Sequence, residues 1–255
     1  MCLVLTAWKA HPEYVLVVAA NRDEFYKRES SPIGWWADKP EILAGRDVSP
    51  QGGGTWLGVS MQGRFAAVTN VREPGKVIEG ARSRGELPVN FVAGAESPSE
   101  YLRGVSALAD RYNGFNVLVS DLNELWWYSN RAGEPSALDP GLHGLSNASV
   151  DTQWPKVSNG VDGLGKLLEA DADVESYLEL LADTTQAPDE LLPATGLPIE
   201  MERIASAAFC VSPEYGTTAS TVLRIRRDGS FDMTERRFDA DGSIGTTELH
   251  GQFAR

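Results

Sequence analysis

Two apolar runs open the chain, Cys2-Leu3-Val4-Leu5-Thr6-Ala7 and Tyr14-Val15-Leu16-Val17-Val18-Ala19-Ala20, separated by the polar, proline-containing Lys9-Ala10-His11-Pro12-Glu13. This pattern predicts a β-hairpin. With its turn centred near Ala10 and His11, Cys2 falls opposite residue 19 or 20, and the polar tetrapeptide Asn21-Arg22-Asp23-Glu24 begins just beyond that partner. Further β-prone runs at 41–44, 55–60 and 64–70, punctuated by Gly45, Gly52-Gly53-Gly54 and Gln62-Gly63, make the first quarter read as a β-meander. Between 85 and 111 the apolar spacing turns helical after the start signal Ser97-Pro98-Ser99-Glu100, which predicts two short helices. Strands resume at 115–120, 125–129 and 142–145. Helical stripes then mark 154–192: Val157, Val161, Leu164 and Leu168, followed by Tyr177, Leu178 and Leu181. Strand-like runs at 207–211, 221–226 and 231–238 close the pattern, the last two joined by Arg227-Asp228-Gly229. Strands, helices, strands, helices and strands in that order predict an α+β fold with two sheets. No linker or repeat interrupts 1–255, so a single domain is expected.

Composition changes this picture mainly by exclusion. A net charge of -13 over 255 residues opposes phosphate backbones and anionic surfaces, so no nucleic-acid partner is expected. The longest apolar run, 15–20, falls far short of the ~20 residues that span a bilayer, and no basic leader precedes it. A cytoplasmic protein without membrane insertion is the expectation. Two cysteines, Cys2 and Cys210, are too few for a disulfide framework, although one bridge between them is compatible with the sequence. No Cys or His spacing suits a metal, and Gly52-Gly53-Gly54 lacks the Lys-Ser/Thr of a phosphate loop.

The candidate chemistry lies at Cys2. When the second residue is small, the initiator Met is commonly removed, which would leave a residue carrying both a thiol and a free α-amine. Their ordinary pKa values, about 8.5 and about 7.7–8.0, make proton exchange between them nearly isoenergetic. Such a pair can open an amide or thioester through an acyl-enzyme. Arg22 would favour the thiolate, and Asp23 would orient the ammonium, with Asn21 and Glu24 as supporting polar groups. Donors for the developing oxyanion are sought in Asn70 of Thr69-Asn70-Val71-Arg72, where Arg72 adds a charge, and in Asn147. Turn asparagine is the plainer use of both. Trp35-Trp36 is the candidate lining of an apolar ligand pocket, against the alternative of packing on the core edge.

Met-Cys-Leu at the start, Asn21-Arg22-Asp23-Glu24 and Leu43-Ala44-Gly45-Arg46-Asp47 resemble the NRDE family, also called the transport and Golgi organisation family. The likeness continues through Gly53-Gly54-Thr55-Trp56-Leu57-Gly58, Thr69-Asn70-Val71-Arg72, Tyr112-Asn113-Gly114-Phe115-Asn116, Leu145-Ser146-Asn147, Trp154-Pro155-Lys156 and Tyr215-Gly216-Thr217. The resemblance implies a four-layer αββα sandwich of N-terminal-nucleophile hydrolase type. Within that superfamily, amidases place Cys first, then Arg and Asp near the end of the second strand, then Asn on later loops; Cys2, Arg22, Asp23, Asn70 and Asn147 are similar in type and order. Arg22 and Asp23 are adjacent here, so along an extended strand they are expected to point to opposite sides.

The resemblance implies two functions. One is a cysteine amidohydrolase or thioesterase acting on a small acyl compound, with no cofactor required. The other is a carrier that holds haem or acyl-CoA without turnover. For haem the sequence offers His11, His143 and His250, or a cysteine, as ligands; for the phosphates of acyl-CoA it offers Arg82-Ser83-Arg84 or Arg226-Arg227.

Overall fold

The computed structural model describes residues 2–49 and 52–254. Its strands are β1 (Cys2–Trp8), β2 (Tyr14–Phe25), β3 (Ser30–Trp35), β4 (Ile42–Asp47), β5 (Leu57–Ser60), β6 (Phe65–Asn70), β7 (Phe115–Ser120), β8 (Leu125–Ser129), β9 (Ser136–Ala137), β10 (Gly141–Leu145), β11 (Tyr215–Arg226), β12 (Ser230–Asp239) and β13 (Gly242–Gln252). The helices are α1 (Glu86–Ala93), α2 (Pro98–Ser106), α3 (Pro155–Glu169), α4 (Val174–Leu181) and α5 (Ile199–Ser206).

The strands form two antiparallel sheets, ordered β10-β1-β2-β11-β12-β13 and β3-β4-β5-β6-β7-β8-β9. Strands β1 and β2 are apolar without alternation because both of their faces are covered. Val4, Leu16, Val18 and Ala20 meet Leu57, Phe65, Ala67 and Leu118 of the second sheet, whereas Leu3, Leu5, Val17 and Ala19 pack under Val157, Leu164, Tyr177 and Leu181 of α3 and α4. On the far side, Val68, Val117 and Val119 take Phe91, Leu102 and Val105 of α1 and α2. Three apolar layers therefore separate four structural ones, the αββα sandwich that the resemblance implies. Among the described residues no helix is long and apolar enough to cross a membrane.

Several local expectations are corrected. The opening hairpin forms, but the Lys9 N–H bonds the Val15 carbonyl at 2.9 Å, which centres the turn on Pro12. Cys2 therefore pairs with Arg22, not with residue 19 or 20. The first quarter is not one meander: β1 and β2 join the first sheet, and β3 to β6 build the second. Residues 207–211 are no strand. Their backbone bonds are scattered instead, the Phe209 N–H on the Asp183 carbonyl at 2.8 Å and the Cys210 N–H on Thr217 Oγ1 at 2.9 Å, with only Val211 bridging to Gly216. The edge strands β3 and β13 and helix α5 lack a clear apolar period; β13 alternates only between exposed and half-buried positions.

Candidate active site

Because directly opposed residues of an antiparallel pair share a sheet face, Cys2 and Arg22 both point toward the second sheet, as do Val4 and Ala20 two positions inward. Asp23, the next residue, projects to the helical side, where its carboxylate accepts from Thr217 Oγ1 at 2.7 Å and from the Cys210 thiol at 3.4 Å. Lys156 Nζ of α3 stands 3.9 Å from Asp23 Oδ2, with both side chains almost completely buried. The adjacent Arg and Asp thus divide between the two faces as their spacing requires. The sheet is irregular at this point, its β2–β11 register shifting between Thr217 and Ala219.

Cys2 opens onto a cleft of about 610 Å³ at the end of the inter-sheet layer, lined also by Arg22, Asp23, Glu24, Asn70 and Arg84. Five arginines line it against four carboxylates, so the cleft is locally cationic within a chain of net charge -13. Burial raises the Cys2 thiol above its ordinary pKa and the Asp23 charge adds to this, while the Asp23 backbone N–H and the Arg22 charge act in the opposite sense. Arg22 is held by a bond from Nη1 to Thr218 Oγ1 at 2.8 Å and by Glu24 at 3.7 Å. Arg28 and Arg82 are taken up by acidic neighbours at 2.7 and 2.6 Å. Arg84 has no carboxylate within 4.0 Å among the described residues and donates to the Gly114 carbonyl at 2.9 Å. Burial lowers its pKa, and Cys2 and Glu24 act against that. Its segment reaches the cleft because two glycines let the backbones touch: a Cβ at Gly54 would lie 2.5 Å from the Gly85 carbonyl carbon.

The remaining predicted positions divide between the cleft and its frame. Glu24 lies on the cleft, bridging Arg22 and Arg28. Asn70 lines the cleft, and its carbonyl accepts from Asn147 Nδ2 at 2.8 Å. Asn147 itself is buried beside Ser146, whose hydroxyl donates to the Cys2 carbonyl at 2.8 Å, so Asn147 ties β6 to the loop after β10 and does not line the cleft. Asn21 faces the helices, where it clamps the Leu181 and Ala208 carbonyls at 2.7 and 2.8 Å and accepts from Ser220. Arg72 is paired with Glu202 at 2.6 Å and stacked on Trp154, away from the cleft.

Trp35 and Trp36 are not among the residues lining this cleft. Trp36 packs into the α1–α2 layer with its indole N–H on the Ala44 carbonyl at 3.1 Å, and Trp35 is largely exposed at the sheet edge. Cys2 and Cys210 are both free thiols, and among the described residues no cluster of His, Cys, Asp and Glu could hold a metal. His11, His143 and His250 do not line the cleft either. Met1, whose removal the candidate chemistry requires, lies outside the described residues.

Two further residues carry no signal in the sequence pattern. Glu235 of β12 lines the cleft, and its burial lifts its carboxyl to about 6 against the pull of Arg237 at 4.0 Å. Lys156 stands in the Trp154-Pro155-Lys156 motif without a role there; an isolated lysine in a helical stripe gives no sign of burial, and only the fold turns it against Asp23.

The family model described as "Transport and Golgi organisation 2" matches residues 1–240. The chain is 38% identical over 256 residues to the bovine "Transport and Golgi organization protein 2 homolog" (Bos taurus) and 36% identical over 257 residues to the human one (Homo sapiens), each alignment covering 92% of both chains. Among solved structures it is similar to the C2A mutant of conjugated bile acid hydrolase from Clostridium perfringens, with a TM-score of 0.52 at 9% identity over 100% of this chain and 97% of the other.

Proposed function

Since the chain belongs to the transport and Golgi organisation 2 family and sets Cys2 in a cationic cleft of an N-terminal-nucleophile hydrolase body, we propose that it is a cysteine hydrolase. It would open an amide or thioester bond of a small acyl compound once Met1 is removed. The observation that carries this reading is the pairing of Cys2 with Arg22 on the cleft face. Charge and a backbone N–H there offset part of the burial cost of a thiolate.

In this mechanism the freed α-amine of Cys2 takes the thiol proton, and the sulfur attacks the acyl carbon. The oxyanion forms toward Asn70, which lines the cleft, and the leaving amine or thiol departs with the proton. Water then releases the acid from the thioester. Asp23 orients the amine rather than activating it, since its carboxylate already accepts from Thr217 and Cys210. Arg84, with no carboxylate partner within reach, suits a substrate that carries an anionic group. No cofactor is needed, and the place of action is the cytoplasm. That the fold neighbour is a hydrolase supports the reading at the level of fold alone.

The same arginines favour a second reading, a carrier that holds acyl-CoA or the propionates of haem without turnover. The test is intact-mass analysis of the full chain before and after exposure to an acyl-thioester probe. Loss of Met1 with a single acyl adduct, absent in Cys2→Ala, is the expected result. Stoichiometric haem or acyl-CoA binding with no adduct and no hydrolysis would replace the enzyme by the carrier.

A further inference from the structure

Behind the sheet that presents Cys2 lies a second cavity, of about 360 Å³, bounded by α3, the end of α4 and the 183–191 loop. Lys156 is on its wall. The lysine side chain is 1% exposed, and its Nζ has no hydrogen-bond partner among the described residues. The Asp23 carboxylate at 3.9 Å supplies charge compensation, but at that distance it leaves the three N–H donors without an acceptor. Unmatched buried donors are costly, and those on a cavity wall can be met by whatever enters. Around Lys156 the lining is half apolar, from Leu180, Pro188 and Leu191, and half neutral polar, from Asn159 and Gln186. The one acid on the wall, Asp183, is exposed and accepts from the Thr185 N–H at 2.8 Å.

We propose that this cavity is a binding site for a small organic carboxylate, its head group on Lys156 Nζ and its short hydrocarbon part against Leu180 and Leu191. Lysine only donates, so the group it receives must be an acceptor. A single ammonium that already faces Asp23 supports one added negative charge, and the wall carries no guanidinium fork of the kind that takes a phosphate bidentately. The volume is near the lower end of ligand cavities, roughly 300–1,000 Å³, which limits the occupant to a few carbons beyond its head. Asp23 belongs to the main cleft while its carboxylate faces Lys156 of this cavity, so the two sites lie on opposite sides of β2. The site does not depend on Cys2 being a nucleophile.

Butyrate titrated into the full chain carrying Cys2→Ala, followed by saturation-transfer NMR and calorimetry with n-butylamine as the charge-reversed control, tests this without any reaction in the cleft. Saturable binding of butyrate but not butylamine is expected, weakened at least tenfold by Lys156→Met. Asn159→Trp, at an exposed position on the cavity wall, should weaken it to a similar degree, and it decides the matter if the Met variant does not fold. No saturable binding, or binding that survives Asn159→Trp but is lost with Arg84→Met in the main cleft, would overturn the proposal.

Discussion

Cys2 and Cys210 are both buried and burial raises both thiols, yet they meet different neighbours at the same end of one sheet. Cys2 faces the cleft with Arg22 across the ladder and the Asp23 N–H at its sulfur. Cys210 faces the helical side and donates its proton to the Asp23 carboxylate, which with burial pushes its thiol up to about 12. The Asp23 carboxylate thus raises both thiols, but only Cys2 also receives the Asp23 main-chain N–H and the Arg22 charge, which act the other way. Exposure would not have separated the pair; the sign of the nearest dipole or charge does.

The largest effect should come from breaking the ionic side of this contrast. Lys156→Met leaves Asp23 without its buried cation and is expected to cost about 3–5 kcal/mol of stability in urea unfolding. A loss below about 1 kcal/mol would mean that Asp23 is compensated otherwise. Next comes the thiol contrast itself. With iodoacetamide at pH 8, Cys2, which lines the open cleft, should be alkylated faster than Cys210, and Arg22→Met should slow Cys2 about tenfold by removing a charge that favours its thiolate. Peptide mapping over time reads both rates, and equal labelling of the two cysteines would erase the distinction.

Much of this arrangement is legible in the amino-acid pattern, and the gaps have physical causes. The hairpin follows from two apolar runs around a proline, but its register rests on the turn centre, and a shift of one residue in that centre moves the partner of Cys2 by two positions, from Ala20 to Arg22. The helices 86–106 and 155–181 carry caps and stripes strong enough to read. Strand β13 does not, because an edge strand with little burial needs no apolar alternation. Trp35-Trp36 misleads for the opposite reason: aromatic bulk marks burial in general, and here Trp36 fills the α1–α2 layer. Arg22, Asp23 and Asn70 stand out by type and order. Lys156 and Glu235 come from elements far along the chain, and only topology brings them to the site.

The carboxylates repeat the contrast between the two faces. Asp23 has a buried lysine beside it, whereas Glu235 on the cleft face has only the Ile33 N–H at 3.0 Å and Arg237 at 4.0 Å. Its folded pKa of about 6 lies above the unfolded value of about 4.3, so the native state binds the extra proton and Glu235 favours folding less as pH rises from about 4.3 through 6. Glu235→Gln keeps the acceptor for Ile33 and removes the charge. It should add about 1–2 kcal/mol of stability at pH 7 and nothing near pH 4, measured by urea midpoints across that range.

The smallest effect belongs to a pair outside both faces, His143 on edge strand β10 with Asp151, 2.8 Å from Nδ1 to Oδ2. The Asp151 bond raises the imidazole above its usual range, so the stability it contributes is fully present below the unfolded value of about 6.5 and is lost as pH climbs through the raised folded value. Because the Asp151 side chain is 44% exposed, solvent screens the pair and the contribution is about 0.5 kcal/mol. His143→Gln should therefore be slightly less stable than the parent at pH 5.5 and indistinguishable from it at pH 9. Both differences rise with pH, Glu235→Gln from none to stabilising and His143→Gln from destabilising to none at higher pH, so midpoints of the two single variants and the double variant over pH 4–9 should separate into two additive steps. A single merged step would mean that the cleft face and the β10 edge are coupled through the sheet, and the division between the two sides of the molecule would have to be redrawn.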